Sequence, residues 1–96
     1  MIFKNSIIDG GAILGEKLEI GPFCKIGSNV KIGNNCKLHG YVNISGDVTI
    51  EENTEIFPFS SIGTVPQDLK YKGERTKVEI GKNCKIREYV TINLGT

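Results

Sequence analysis

The sequence predicts an all-β fold in which short strands wind into a parallel solenoid. Three observations support this. Ile or Leu recurs at every sixth residue, the residue two places before each of them is small or apolar, and Gly and Asn recur between them. A period of six matches neither the 3.6-residue period of an amphipathic helix nor the two-residue alternation of a half-buried strand. A hexapeptide repeat is typical of a parallel β-helix.

The aliphatic site defines position 1 of the hexad. The series breaks after Ile62 and resumes in the same phase at Ile80. Each of these side chains, once buried, contributes roughly 1.5–3 kcal/mol of apolar transfer free energy. Position 1 comprises Ile2, Ile8, Leu14, Ile20, Ile26, Ile32, Leu38, Ile44, Ile50, Ile56, Ile62, Ile80, Ile86 and Ile92.

Position 5 is the second predicted core site. It lies two residues before the next position 1, and residues two apart share one face of a strand. Both positions should therefore point inward. Position 5 reads Ser6, Ala12, Leu18, Cys24, Val30, Cys36, Val42, Val48, Thr54, Ser60, Cys84, Val90 and Thr96.

Positions 2 and 4 are the predicted corners of the solenoid. Gly is frequent at position 2 and Asn at position 4. Both residues adopt positive φ at low cost, so we expect left-handed backbone at both positions. Three sides of one hexad each would close a triangular coil of about 18 residues.

The repeat is interrupted over residues 64–79, where Asp68 and Glu74 stand at sites that would otherwise require an aliphatic residue. With Pro66, Gly73 and many charges, the segment is predicted to be a loop extruded from a corner. Long insertions in solenoids often carry the binding function. The alternative is a solvated loop, which solenoids tolerate because closure entropy grows slowly with length.

Bulk composition narrows the function classes. A net charge of +1 with 24% charged residues gives no field that favours nucleic acid. No apolar run is long enough for a signal peptide or a membrane span. Three Cys is an odd, low count that suits a reducing compartment. We expect one cytoplasmic domain, a hexapeptide-repeat β-helix over residues 1–96.

Several segments carry a resemblance to a known family. They are residues 20–27, residues 56–74 with Pro66-Gln67-Asp68-Leu69-Lys70-Tyr71, residues 78–92 with Ile86-Arg87-Glu88, and the terminal Gly95-Thr96. In this collinear order they resemble the N-terminal part of the UDP-N-acetylglucosamine O-acyltransferase family of lipid A synthesis. The resemblance implies a left-handed β-helix, a handedness that periodicity does not supply.

The resemblance also implies an activity. Family members transfer a 3-hydroxyacyl group from acyl carrier protein to the 3-hydroxyl of UDP-GlcNAc, and they are homotrimers without a cofactor. The family's general-base His lies on a later coil, so we expect no catalytic residue in this chain and no activity from it alone, as a truncated N-terminal section. Its exposed last coil predicts trimers or end-to-end self-association.

The substrate-binding residues implied by the resemblance are Gln67, Asp68 and Lys70. Asp68 can accept hydrogen bonds from sugar hydroxyls, and Lys70 can form an ion pair with an anionic group. The only His of the sequence, His39, does not match the catalytic His and is predicted to be a solvated surface residue. Asn93 replaces a second His that the family commonly has there.

Other candidate groups have structural explanations. Lys25, Lys31 and Lys37 are six residues apart, so they should lie on three different sides. The three Cys at position 5 should behave as small apolar core residues, and no metal site is expected. The alternative to an enzyme is a non-catalytic β-solenoid with a structural or interaction role.

Overall fold

A computed structural model describes residues 2–64 and 77–93 of the chain. These residues form short strands in three parallel sheets of five, four and four strands. Each sheet is one flat side of a three-sided prism. The described residues include no helix of the length and apolarity needed to cross a membrane.

The strands follow one another around the prism, so every third strand lies on the same side. Wall 1 contains β1 (Ile7–Ile8), β4 (Lys25–Ile26), β7 (Asn43–Ile44), β10 (Ser61–Thr64) and β13 (Thr91–Asn93). Wall 2 contains β2 (Ile13–Leu14), β5 (Val30–Ile32), β8 (Asp47–Ile50) and β11 (Lys77–Ile80). Wall 3 contains β3 (Glu19–Ile20), β6 (Lys37–Leu38), β9 (Glu55–Ile56) and β12 (Lys85–Ile86).

Strand register confirms the predicted coil of three hexads. Ile20 pairs with Leu38, and Leu38 pairs with Ile56, so each partner stands three hexads further along the chain. Backbone hydrogen bonds join the coils, for example from Gly33 N–H to the carbonyl of Ile50 at 2.7 Å. Each coil therefore extends the same three sheets by one strand.

The core consists of residues predicted for positions 1 and 5, except that Ile2 in the first coil is exposed and Thr96 lies outside the described residues. Ile26, Ile44, Ile56 and Ile62 are fully buried, while Ile8, Leu14 and Ile92 near the ends are only partly buried. The polar members of position 5 are satisfied by backbone. The Thr54 hydroxyl donates to the Gly81 carbonyl at 3.1 Å, and the Ser60 hydroxyl donates to the Arg87 carbonyl at 2.8 Å.

The corners confirm the glycine and asparagine prediction only in part. Position 4 adopts left-handed backbone on two of the three corners, at Lys17, Phe23, Asn35, Tyr41, Asn53, Phe59, Asn83 and Tyr89. On the corner between walls 1 and 2 it does not, because Gly11 and Asn29 lack positive φ. The prediction for position 2 was wrong, because Gly63 alone has positive φ among the described position-2 glycines. Close approach explains several others: a Cβ on Gly21 would lie 2.5 Å from the carbonyl oxygen of His39 in the next coil.

The strands on either side of the interruption show that it is shorter than the sequence predicted. β10 reaches Thr64, and β11 begins at Lys77, with Val78 buried and paired to Val48. The expected range of 64–79 was therefore too wide, because Val78 occupies the inward position two residues before Ile80. Ser61 pairs with Thr91, five hexads later instead of three, so this coil is longer than the preceding ones by two hexads.

Candidate functional site

The candidate site is the corner between walls 1 and 2 where the extra residues are inserted, here called the insertion corner. Gln67, Asp68 and Lys70 belong to residues 65–76, outside the residues that the structure describes. Their assignment as substrate-binding residues stays a prediction. The structure does describe the two strand ends that flank them, at Thr64 and Lys77.

The strand leading to the insertion is held tightly against the coil before it. Gly63 has a φ of +79°, and a Cβ there would collide with the Ser45 carbonyl oxygen and with Val48. Gly63 is therefore required both for its backbone conformation and for space. On the other side of the insertion, Lys77 pairs in register with Asp47 at the start of β8. Both flanks of the insertion are thus fixed to the same preceding coil.

The described turns at the insertion corner consist of small and polar residues. The preceding coils place Asp9-Gly10-Gly11, Gly27-Ser28-Asn29 and Ser45-Gly46-Asp47 there. No large side chain stands on these turns, and they offer carboxylates, hydroxyls, amides and backbone groups. Such a surface can hydrogen-bond a polyhydroxylated or anionic ligand, which is compatible with the predicted role of the neighbouring insertion.

Arg87 and Glu88, part of the motif that carries the resemblance, lie at a different corner. The Arg87 guanidinium sits 4.0 Å above the centre of the Phe57 ring, and its Nε lies 3.3 Å from Oε1 of Glu88. They occupy the corner between walls 3 and 1, so wall 1 separates them from the insertion corner. The described geometry gives them a packing role and does not bring them to the insertion.

His39 is not the solvated residue that the sequence predicted. Its ring stacks on Phe57 with centroids 4.5 Å apart, and its Nε2 lies 2.6 Å from Oε2 of Glu55. The hydrogen bond from His39 is the largest cause that lowers the pKa of Glu55. The prediction failed because the next coil of the stack places Phe57 directly beside the imidazole. His39 therefore links two coils and is not free for general-base chemistry.

The cysteines behave as core residues. Cys24 and Cys36 are buried on different walls, and Cys84 is partly buried against the same core. Burial raises the pKa of the Cys24 and Cys36 thiols, which keeps them protonated and unreactive near neutral pH. Among the described residues no group of three His, Cys, Asp or Glu could hold a metal ion.

The lysines at hexad spacing also behave as predicted. Lys25 lies on wall 1, Lys31 on wall 2 and Lys37 on wall 3. They ring the solenoid and form no common basic patch. Lys37 instead approaches Glu19 of the coil before it, with Nζ 3.6 Å from Oε2.

Sequence reasoning missed a second surface, the corner between walls 3 and 1. The chain has 4 Phe and 3 Tyr, and every one except Tyr71, which is outside the described residues, lies on this corner. We call it the aromatic corner, and it comprises Phe3, Phe23, Tyr41, Phe57, Phe59 and Tyr89 together with His39. The available signal was the recurrence of an aromatic residue every three hexads at Phe23, Tyr41 and Phe59.

Comparison with known proteins supports both the repeat and the resemblance. Residues 29–64 match the bacterial transferase hexapeptide family (six repeats). Over all 96 residues the chain is 44% identical to the acyl-[acyl-carrier-protein]–UDP-N-acetylglucosamine O-acyltransferase of Azorhizobium caulinodans. The chain spans about a third of the length of that relative, 35%.

Solved structures agree with this match. The UDP-N-acetylglucosamine acyltransferase from Bacteroides fragilis 9343 superimposes with a TM-score of 0.94 at 48% identity, over 100% of this chain and 38% of that one. The Acinetobacter baumannii protein of the same type gives a TM-score of 0.95 at 48% identity, over 99% of this chain and 37% of that one. The chain is thus a left-handed, hexapeptide-repeat β-helix that corresponds to the N-terminal part of the UDP-N-acetylglucosamine O-acyltransferases.

Proposed function

We propose that this chain is the N-terminal section of an enzyme of lipid A synthesis. The reaction moves a 3-hydroxyacyl group from the thioester of acyl carrier protein to the 3-hydroxyl of UDP-GlcNAc. The observation that carries the proposal is the 44% identity over all 96 residues with an acyltransferase of that name, a span that includes the insertion.

The part of the reaction assigned to this chain is substrate binding. Gln67, Asp68 and Lys70 would contact the sugar nucleotide or the acyl group from the insertion. Asp68 would accept hydrogen bonds from hydroxyls, and Lys70 would meet an anionic group of the substrate. The rigid flanks at Gly63 and Lys77 support this assignment, because a binding segment needs fixed ends to keep its groups in place.

The general base that takes the proton from the sugar hydroxyl would be supplied from outside these 96 residues. His39, the one His here, is engaged with Glu55 and Phe57. The chain alone would therefore be inactive. No cofactor enters this reaction, because a hydroxyl attacks a thioester and needs only proton transfer and charge stabilisation.

The proposal also includes the setting of the enzyme. The protein would be cytoplasmic, where acyl carrier protein and the sugar nucleotide meet, and it would work as a homotrimer with substrates in the clefts between subunits. The low count of three Cys, two of them buried as free thiols, is compatible with a reducing compartment.

An acyl-transfer assay tests the proposal. The full encoded chain is incubated with UDP-GlcNAc and 3-hydroxyacyl carrier protein, and the acylated sugar nucleotide is measured by mass spectrometry. The proposal expects 3-O-acylated product from the full encoded chain and none from the 96 residues expressed alone. Absence of product from the full encoded chain, across acyl groups of different length, would contradict it and favour a non-catalytic solenoid.

A further inference from the structure

The residues that directly follow the strands of wall 3 form a column along the aromatic corner, with one residue from each coil. We call it the inner column, and it comprises Phe3, Gly21, His39, Phe57 and Arg87. Backbone hydrogen bonds keep its members in register. The N–H of Phe3 donates to the Ile20 carbonyl at 3.0 Å, and the N–H of Gly21 donates to the Leu38 carbonyl at 2.7 Å. Gly21 is the one member without a side chain, so it leaves a gap between Phe3 and His39.

The later members of the inner column are planar groups in contact with one another. The rings of His39 and Phe57 have centroids 4.5 Å apart and are inclined by only 12°. The guanidinium carbon of Arg87 lies 4.0 Å from the centre of the Phe57 ring on its other side. Neighbouring coils are about 4.8 Å apart, so one step of the solenoid brings planar groups to stacking distance. A planar group at the level of Gly21 would lie one step from Phe3 and one step from His39.

The fold prevents the chain from filling this gap with a side chain of its own. A Cβ on Gly21 would lie 2.5 Å from the carbonyl oxygen of His39. The space beside it is a cavity of about 210 Å³ lined by Phe3, Glu19, Ile20 and Gly21, here called the Gly21 slot. A cavity of about 150 Å³ is sufficient to bind benzene. The Gly21 slot therefore has room for one small planar group.

The lining of the Gly21 slot combines an aromatic ring with a negative charge. Phe3 is 44% exposed and stacks on no ring among the described residues. Of the described residues that line the slot, Glu19 alone is charged. Its Oε2 lies 3.6 Å from Nζ of Lys37, and its side chain is 62% exposed. At that distance the ion pair leaves the carboxylate able to accept hydrogen bonds from a further donor.

We infer that the Gly21 slot is a binding site for a guanidinium or amidinium group, which stacks on Phe3 and donates to Glu19. The inner column itself shows this arrangement at its other end. There the Arg87 guanidinium lies over Phe57, and its Nε is 3.3 Å from Oε1 of Glu88. The Gly21 slot offers the same two partners, a ring and a carboxylate, without the cation. It lies on the corner between walls 3 and 1, away from the insertion, so the inference does not depend on the proposed function.

Other ligand classes fit the lining less well. A nucleotide would bring phosphate charge close to Glu19, which repels it. An alkylammonium would be attracted by Glu19, but it has no plane to lie against Phe3. A neutral planar amide would stack on Phe3 without gaining from the carboxylate. A planar cation uses both partners, through cation–π attraction to the ring and a charge-assisted hydrogen bond to Glu19.

The test compares three small probes of similar size on the full encoded chain. They are n-butylguanidinium, which is planar and charged, n-butylurea, which is planar and neutral, and n-butylammonium, which is charged and not planar. Isothermal titration calorimetry measures each dissociation constant. Phe3→Ala removes the ring and Glu19→Gln removes the charge. The matched controls are Phe23→Ala, at an exposed ring of the same corner, and Glu79→Gln, at an exposed carboxylate of wall 2.

We expect n-butylguanidinium to bind at least about fivefold more tightly than either other probe. Phe3→Ala and Glu19→Gln should each weaken its binding by at least about fivefold, and the two controls should bind it like the wild type. Far-UV circular dichroism checks that every variant is folded. Equal binding of the three probes, or wild-type binding of n-butylguanidinium by folded Phe3→Ala or Glu19→Gln, would overturn the inference.

A guanidinium group could reach the slot on a polypeptide or as a free guanidino compound. The tripeptide Gly-Arg-Gly, acetylated and amidated at its ends, distinguishes the two sources in the same titration. Binding at least as tight as that of n-butylguanidinium would assign the slot to an arginine side chain of a partner, and weaker binding would assign it to a free compound. These titrations measure binding without acyl transfer, so failure of the inference and failure of the proposed function are distinguishable.

Discussion

Nε2 of His39 lies 2.6 Å from Oε2 of Glu55, so one side-chain contact joins two successive coils on the outside of the solenoid. Lys37 and Lys85 flank Glu55 in the same row of wall 3. The imidazole is held in place by stacking on Phe57, whose other neighbour is the Arg87 guanidinium. Three coils are therefore connected by one chain of polar and aromatic contacts.

This contact predicts a pH-dependent contribution to stability. The pKa of Glu55 is lowered from its ordinary value of 4.5, mainly by the hydrogen bond from His39. The contribution is therefore present above that value and is lost as pH falls through the lowered pKa of the folded state. We expect Glu55→Gln to lower Tm at about pH 7, and this difference to shrink as the pH is lowered from 4.5 into the acid range. A thermal unfolding series across this range checks it, and an equal Tm difference at both ends would contradict it.

The close approach of coils at position 2 predicts a contrast between two glycines. Gly21→Ala would place a Cβ 2.5 Å from the His39 carbonyl oxygen, whereas Gly81 has no atom within 4 Å of its Cβ position. We expect Gly21→Ala to cost about 1–3 kcal/mol in the free energy of unfolding, as other overpacked sites do. Gly81→Ala should change it by less than about 0.5 kcal/mol. Urea denaturation measures both, and equal effects would show that close approach is not the reason for Gly21.

The two faces of wall 1 predict a second contrast. Ile44 is 0% exposed in the core, and Ile7 is 61% exposed on the outside of the same wall. Ile44→Ala should destabilise the fold by about 2–5 kcal/mol, because it removes buried methyl groups and leaves a cavity. Ile7→Ala should destabilise the fold by much less than Ile44→Ala, because the Ile7 side chain is already largely exposed. Similar losses in chemical denaturation would mean that the inward and outward assignments are wrong.

The left-handed corners predict a stabilising exchange. Lys17 has a φ of 57°, close to the 60° of Asn35 at the equivalent position one coil later. Asn tolerates this conformation better than Lys, so Lys17→Asn should raise the free energy of unfolding by up to about 1 kcal/mol. The reciprocal change, Asn35→Lys, should lower it by a similar amount. Opposite signs to these in urea denaturation would contradict the conformational explanation.

The fold was predictable to the level of single inward residues. A triangular coil of about 18 residues implies that residues three hexads apart, such as Ile20 and Leu38, share a wall, and the strand pairing confirms it. The reason is that every coil repeats one local pattern, so a period read from the sequence fixes register and burial together.

The corners were less predictable, because their chemistry depends on neighbours in the adjacent coil. Gly21 was assigned a backbone role, whereas its requirement is space beside His39 in the next coil. His39 was assigned to solvent for the same reason, since its partners Glu55 and Phe57 belong to the next coil. The hexad repeat predicts where a residue lies within its own coil. It does not predict which side chain of the next coil lies beside it, and the corner contacts are of that second kind.

Only one boundary of the insertion could be predicted from the sequence. Its position between walls 1 and 2 could be read from the missing aliphatic residues, but its second boundary could not, because Lys77–Ile80 contains as many charged residues as apolar ones. The register that places Val78 opposite Val48 becomes visible only once β8 and β11 are paired. The roles of Gln67, Asp68 and Lys70 come from the resemblance and stay predictions.

The most direct measurement is the effect of Asp68→Asn on kcat/KM for acyl transfer to UDP-GlcNAc by the full encoded chain. The matched control is Glu79→Gln, which neutralises an exposed carboxylate on β11 of wall 2. If the insertion binds substrate, Asp68→Asn should lower kcat/KM at least about tenfold, the loss expected for one charged hydrogen bond, with unfolding unchanged. Glu79→Gln should retain the wild-type value. A folded Asp68→Asn variant with wild-type kcat/KM would contradict the assignment of the insertion as the substrate site.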